Sequence, residues 1–475
     1  MMRKTVFVVC LLLLSLGVSA AQTIKFHNFE LSSTPTTQCP TSSLCYNNAA
    51  EPAIRSDPAG HFFASSENGL TAGTEAWRSL NGGLNYTDLT SPNSVSHATD
   101  NTFEPGGGDT DLAVATALNS KGFYNVYVAS LSLANVDVST SQDQGGTWTL
   151  NPTSATIPGD DREWIAADGA SKVCISYRTA VGTQLVVNCS SDAGATFTQV
   201  GNVYDTGHQF FAAYNAAIGN LAIDPANHYI YQTFAAVTNQ QEATTCTTCN
   251  LHVVWMGVST DGGNTFTDYP VYINPDVNAS YNHQFTNVSV DKAGNVYSVY
   301  SDNHDVYYSF SRDHGQTWSG PHQVNTGAAA TAILPWSVAL ASGKIDIVYY
   351  GTSYYDGVNP PDTYPSSASW YVYMAQNLSA TNSASTFVQV QATPIVHYGG
   401  VCESGVTCTG NRDLYDDFGV AASPVTGLAS IVYSDDQYTA DAYDPPQPGC
   451  TANTTNTGSC DHTSIATQTK GTGIN

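Results

Sequence analysis

Short runs in which apolar and polar residues alternate recur along the whole chain, and Gly, Asp, Asn and Pro punctuate them. Alternation of period two predicts half-buried strands, and no long segment carries the spacing of an amphipathic helix. The punctuation is itself repetitive. Ser141-Gln142-Asp143-Gln144-Gly145-Gly146-Thr147-Trp148 returns as Ser190-Ser191-Asp192-Ala193-Gly194-Ala195-Thr196-Phe197. It returns again as Ser259-Thr260-Asp261-Gly262-Gly263-Asn264-Thr265-Phe266 and as Ser311-Arg312-Asp313-His314-Gly315-Gln316-Thr317-Trp318, and a worn copy, Ser79-Leu80-Asn81-Gly82-Gly83-Leu84-Asn85-Tyr86, precedes them. Each reads Ser-x-Asp-x-Gly-x-Thr-aromatic and follows a strand-like run, so each predicts a hairpin turn. Asp and Ser side chains bond to turn amides, glycine takes a positive φ, and the aromatic returns to the apolar layer.

A second turn repeats between other pairs of runs: Asp57-Pro58-Ala59-Gly60, Asp224-Pro225-Ala226-Asn227 and Asp291-Lys292-Ala293-Gly294, with variants at Asp168-Gly169-Ala170-Ser171 and Ser423-Pro424-Val425-Thr426. Counting the runs ahead of these turns predicts seven innermost strands, beginning near Ala53, Asp111, Trp164, Ala217, Phe285, Trp336 and Phe418. Self-similarity of this kind predicts an all-β fold, a seven-bladed β-propeller of four-stranded antiparallel blades forming one domain over 21–475. The last blade shows only three runs, 418–422, 429–433 and 463–467. The run at 24–31 is predicted to supply the fourth and close the ring, which removes the open sheet edges.

Loop lengths separate the two faces. The repeated turns are short and share one face, whereas the long connections 87–108, 235–250, 351–369, 391–415 and 434–461 share the other, where function is expected. Residues just ahead of each innermost strand should ring the axis there: Glu51; Asp109 and Asp111; Asp160, Asp161, Arg162 and Glu163; Tyr214 and Asn215; His283 and Gln284; Trp336; then Arg412, Asp413, Leu414, Tyr415, Asp416 and Asp417. Carboxylates beside aromatic faces suit a glycan, the first supplying acid/base groups and the second sugar-stacking surfaces. The same mixture suits a solvated polar rim. The oxygen-rich cluster also suits a structural calcium ion; no other cofactor is called for. His208-Gln209-Phe210 and His283-Gln284-Phe285 echo one another and suit backbone-bonded loop histidines, metal ligands or lyase bases.

Residues 1–20 have the form of a secretory signal: Arg3 and Lys4, an apolar stretch, then Val18-Ser19-Ala20 as a small-residue cleavage site. The mature chain is expected to be secreted, extracellular or periplasmic, with no membrane span. Without Arg3 and Lys4, 12 of the 14 basic residues stand against 39 acids, a formal charge of −27 that disfavours nucleic acid as a partner. The mature cysteines fall into local pairs: Cys39 with Cys45, Cys174 with Cys189, Cys246 with Cys249, Cys402 with Cys408 and Cys450 with Cys460. In an exported chain these read as disulfides. If Val181-Gly182 is a two-residue hairpin loop, Cys174 and Cys189 lie opposite one another on adjacent strands.

The Ser-x-Asp-x-Gly-x-Thr-aromatic turn is the Asp box, and the chain resembles the secreted bacterial sialidase-like (Asp-box, or BNR-repeat) β-propeller family. Leu334-Pro335-Trp336, Trp370-Tyr371-Val372-Tyr373-Met374-Ala375-Gln376, His397-Tyr398-Gly399-Gly400 and the stretch 411–418 carry the same resemblance. It implies a glycoside hydrolase of exo-α-sialidase type, and six blades as the alternative to seven. Its site would use three arginines to grip a carboxylate, here Arg55, Arg162 and Arg412. It would also use a Tyr nucleophile, Tyr415, activated by Glu163 or Glu51, and an Asp acid/base, Asp161, with Asp416, Trp336 and His283 alongside as substrate-binding residues. The family's Phe/Tyr-Arg-Ile-Pro motif is replaced here by Glu51-Pro52-Ala53-Ile54-Arg55, which moves the arginine out of its motif position. Two other classes stay open beside the hydrolase: a non-catalytic propeller that binds glycan or protein, and a polysaccharide lyase. The sequence leaves the oligomeric state open.

Overall fold

The computed structural model describes residues 23–31, 49–93, 105–133, 135–179, 183–214, 216–245, 250–283, 285–357, 359–438, 449–451, 454–456 and 460–475. The expected signal and the Val181-Gly182 loop lie outside these residues. So do two of the expected disulfides, that of Cys39 with Cys45 and that of Cys246 with Cys249. The fold is a seven-bladed propeller of antiparallel four-stranded blades, so the six-bladed alternative is corrected. The innermost strands are Ala50–Ser56, Thr110–Val114, Asp160–Asp168, Ala217–Ile223, Asn287–Val290, Thr331–Ala339 and Gly419–Ala422. Among the described residues helix is confined to Gln240–Thr245 and three short 3-10 segments.

The Ser-x-Asp-x-Gly-x-Thr-aromatic turns form as their chemistry requires. In the first intact copy Asp143 Oδ1 accepts the Ser141 hydroxyl and the Thr147 amide, each at 2.8 Å, while Oδ2 accepts the Thr147 hydroxyl at 2.8 Å. Ser141 Oγ also accepts the Gly145 amide at 2.7 Å, and Gly145 takes φ 84°, a region costly for any residue with a Cβ. The worn copy keeps three of these four bonds: Asn81 Oδ1, standing in for Asp, accepts the Ser79 hydroxyl at 2.9 Å and the Asn85 amide at 3.2 Å, and Ser79 Oγ accepts the Gly83 amide at 2.9 Å.

The seventh blade is closed by a strand from the other end of the chain. Lys25–Glu30 pairs antiparallel with His462–Lys470, which pairs in turn with Ala429–Asp435 and then Gly419–Ala422. Cys174 and Cys189 are directly paired across two strands of blade three and are bonded, as are Cys402 with Cys408 and Cys450 with Cys460.

Three of the innermost strands begin earlier than the alternation predicts. Their register slips between Ala50 and Ala53, between Asp161 and Glu163, and between Ile333 and Trp336. Regular pairing resumes at the predicted starts Ala53 and Trp336 and, in blade three, at Glu163, one residue before the predicted Trp164. Each slip is a bulge holding a non-glycine residue in the left-handed region: Glu51 at φ 51°, Arg162 at φ 58° and Leu334 at φ 53°. A bulge re-aims its side chain and breaks the alternation, so this part of the strand is invisible to a period-two reading.

The axis is plugged partway down. Trp164 packs on Trp336 at 5.2 Å between ring centroids and edge-on to Phe285 at 5.4 Å. On the short-turn side of this aromatic layer, the seven innermost strands surround a cavity of about 310 Å³ lined mainly by Ala, Val, Ile and Leu. On the other side lies the mouth of the long loops.

Candidate functional site at the axial mouth

Arg162 stands at the centre of the mouth. The bulge turns it inward over the aromatic plug, with its guanidinium carbon 4.5 Å from the Trp164 ring centroid and 4.3 Å from that of Phe285. Three carboxylates from three blades surround it: Glu51 at 3.3 Å, Asp109 at 3.5 Å, and Asp417 in direct contact. Buried though it is, these charges hold the guanidinium protonated. Arg412 repeats the arrangement nearer the surface, bonding Glu51 at 3.0 Å and Asp416 at 2.8 Å while resting 5.2 Å from the Tyr415 ring centroid. Glu51, fully buried, therefore bridges both arginines.

A residue absent from the sequence reading completes the group. Glu67 ends the second strand of blade one, opposite Ala50, and is only partly buried. One carboxylate oxygen from each of Glu51, Glu67 and Asp109 lies within 4.8 Å of the other two. Burial, followed by the charge of Asp109, outweighs the opposing pull of Arg412 and Arg162 and pushes the Glu67 carboxyl up to about 8. Burial likewise raises Asp417 to about 7 against the pull of Arg162, and lifts Glu51 and Glu163 well above the usual carboxylate range. Both oxygens of Glu163 are buried and unpartnered. The mouth therefore gathers carboxyls that burial pushes upward beside two guanidinium groups that pull the other way. Two guanidinium groups already sit among these acids and supply the positive charge a calcium ion would bring, so the cluster has the chemistry of an acid/base site more than of a cation cage.

The site residues expected from sequence divide into three groups. Arg162, Glu163, Arg412, Tyr415 and Asp416 are at the mouth. Asp161 is not: the same bulge sends it outward, where it is half exposed and pairs with Arg178, away from the other acid/base candidates. Arg55 and Trp336 belong to the plug and the cavity behind it. Arg55 bonds Asp111 at 2.8 Å and lies 5.4 Å from the Trp336 ring centroid, while Trp336 is itself buried. The three arginines thus do not converge on an open carboxylate-binding point. Burial and the charges of Asp461, Glu67 and Glu51 raise the Tyr415 phenol further above its ordinary value, the opposite of what a tyrosinate nucleophile needs. His283 is partly buried, is drawn down to about 4 by desolvation and lies 3.8 Å from Glu403. Glu403, on the loop stapled by Cys402–Cys408, is pushed up to about 8 by burial and by Asp416, Asp302 and Asp362, and both its oxygens are unpartnered. Tyr214 and Asn215, expected on the ring, and Gln284 carry no described side chains.

No family model and no curated protein matches the chain. Among solved structures, an α-L-arabinofuranosidase of Fusarium graminearum is similar with a TM-score of 0.46 at 13% identity, over 94% of this chain and 98% of that one. A GH74 xyloglucanase of Xanthomonas campestris scores 0.48 at 13% identity, over 86% of this chain and 52% of that one. A sialidase mutant from Streptococcus pneumoniae scores 0.42 at 10% identity, over 93% and 70%. Scores and identities this low pass no activity to this chain.

Proposed function

We propose that the chain is a retaining glycoside hydrolase acting at the axial mouth, with Glu67 as general acid and Asp109 as nucleophile. The observation that carries the reading is the approach of Glu67, whose carboxyl burial pushes up to about 8, to Asp109 beside Arg162, with one oxygen of each no more than 4.8 Å apart. Retaining enzymes set their two carboxyl groups about 5–5.5 Å apart and inverting ones about 6.5–9.5 Å; a closest approach within 4.8 Å is nearer the retaining arrangement, and the anomer released decides between them. Glu67 would protonate the leaving-group oxygen while Asp109 attacks the anomeric carbon. Glu67, now ionised, would then take a proton from the water that releases the sugar. Glu51 is unsuited to either role, being fully buried and bonded to both arginines.

Both guanidinium groups at the mouth are matched by the protein's own carboxylates, which favours an uncharged glycan over a sialoside or a uronate. The long loops around the mouth and the expectation of export fit an exterior glycan. A panel of aryl glycosides, pentosides, hexosides and an α-sialoside included, tests this with the full chain. The expected result is turnover of a neutral glycoside, release of the retained anomer by NMR, and loss of turnover in Glu67→Gln with folding unchanged. Release of the inverted anomer would overturn the role of Asp109. Turnover of the sialoside alone would restore the sialidase reading, and an unsaturated uronate product would establish the lyase. A folded chain that binds glycan and cleaves none would be a binding propeller.

A further inference from the structure

Away from the mouth, at the junction of blades three and four, a second cluster joins Asp205, His208 and Asp268. Asp205 and His208 lie in the connection that leaves Thr198–Asn202, the outermost strand of blade three. Asp268 lies near the start of Thr267–Ile273, the outermost strand of blade four. One donor atom of each is within 4.8 Å of the other two. His208 Nδ1 is 3.0 Å from Asp205 Oδ1 and 3.4 Å from Asp268 Oδ2. The Nδ1 atom is shielded from solvent and faces both carboxylates at once.

We propose that this cluster is a binding site for a first-row divalent transition ion of the Zn²⁺ type, with His208 Nδ1, Asp205 Oδ1 and Asp268 Oδ2 as its protein ligands. Donors about 2.1 Å from a zinc ion are separated by about 3.0 Å along an octahedral edge and about 3.4 Å along a tetrahedral one. The two separations from Nδ1 fall within the span of those edges, and the third pair of donors lies within 4.8 Å.

The donors are also held in place before any ion arrives. Asp205 Oδ2 accepts the Asp268 amide at 3.1 Å, Asp268 Oδ2 accepts the Asp205 amide at 2.9 Å, and Asp205 Oδ1 accepts the Gly207 amide at 2.7 Å. The imidazole is stacked on Phe211, with 5.2 Å between centroids and 5° between planes, and its centroid is 5.0 Å from that of Trp255. Such supporting contacts are how proteins orient metal ligands. The Asp268 side chain is fully buried, whereas those of Asp205 and His208 are 20% and 27% exposed, which leaves an entry path and room for water ligands. One imidazole with two carboxylates favours zinc over calcium, which prefers oxygen donors alone. A bound ion would tie the inter-blade connection and the Gln209–Tyr214 turn to blade four.

The test uses the full chain after chelator treatment, titrated with Zn²⁺ alone and, separately, with Co²⁺ or Ca²⁺. The expected result is one equivalent of Zn²⁺ bound at micromolar concentration or tighter, a higher melting temperature, a visible Co²⁺ spectrum of the kind imidazole ligation gives, and no comparable effect of Ca²⁺. His208→Gln and Asp205→Asn should each weaken Zn²⁺ binding at least tenfold while melting like the parent in chelator. No saturable binding by the parent would overturn the proposal, as would binding that both variants leave unchanged, which would place the ion on other histidines. Glycoside turnover at the mouth should not respond to either variant, so the two sites succeed or fail separately.

Discussion

The Ser-x-Asp-x-Gly-x-Thr-aromatic turns and the axial mouth use the same side chain in opposite ways. In the turns the carboxylates are exposed or half-buried, and their oxygens are taken up by hydroxyls and amides a few residues away. Asp192 is drawn down to about 2 by the Ser190 and Thr196 hydroxyls and the Thr196 amide. At the mouth the carboxyls come from different blades, are buried or nearly so, and are answered by two arginines or by nothing. Those of Glu67 and Asp417 are pushed up to about 8 and 7. Local satisfaction makes an acid inert and repeatable, so it can serve as a folding signal at four places. Incomplete satisfaction raises the carboxyls at the mouth, as burial does at Asp137 and Asp346, so it is the convergence of several such groups that sets the mouth apart.

The largest expected effect comes from removing the Glu67 carboxyl. Glu67→Gln should lower turnover by about 10²–10⁴-fold, the range of general acid–base catalysis, while circular dichroism and melting stay close to the parent. Next is Arg162→Met, which leaves Glu51, Asp109 and Asp417 facing one another without their common cation. It should cost about 3–5 kcal/mol in urea unfolding, as breaking a buried ion pair does.

A smaller effect is the pH dependence. Glu67 holds its proton in the folded chain up to about 8 but in the unfolded chain only to its ordinary 4.5, so between these values the folded state binds more protons. Melting temperature should therefore fall as pH rises from 4.5 to 8, less steeply in Glu67→Gln, and activity should fall as pH passes 8. The turns titrate the other way: the low value of Asp192 means that their contribution is lost only as pH falls toward 2. The smallest effect is Asp143→Ala in one such turn. It should cost about 1 kcal/mol, since the hydrogen bonds lost are exposed to water and only one turn of several is altered.

The same contrast explains what the sequence made legible. Local chemistry writes itself into short motifs, so the turns, the seven blades, the paired cysteines of blade three and even the closing strand could be read from residue order. The mouth is assembled from residues whose neighbours lie in other blades. Arg162, Glu163 and Arg412 were found because they precede innermost strands, but the bulge at Arg162 sent Asp161 outward, and no alternation rule signals a bulge. Glu67 was missed because it ends a second strand instead of preceding a first. The remaining clue was an acid at the long-loop end of a run otherwise rich in small and apolar residues. Glu403 was missed in a long loop, where the nearby Cys402 and Cys408 marked order without marking purpose.

The strand that closes the seventh blade has a consequence for the timing of biogenesis. Asn28 accepts a hydrogen bond from Tyr433, 405 residues away in sequence. Among the first described residues to leave a ribosome or translocon are thus ones that must wait for the last before they find their place. Six blades can form hairpin by hairpin as the chain emerges, but the ring stays an open arc until then, with two unpaired edges. Quality control of this protein therefore reduces to one late event, and any extension that encumbers Lys25–Glu30 should leave a nearly complete molecule permanently ajar.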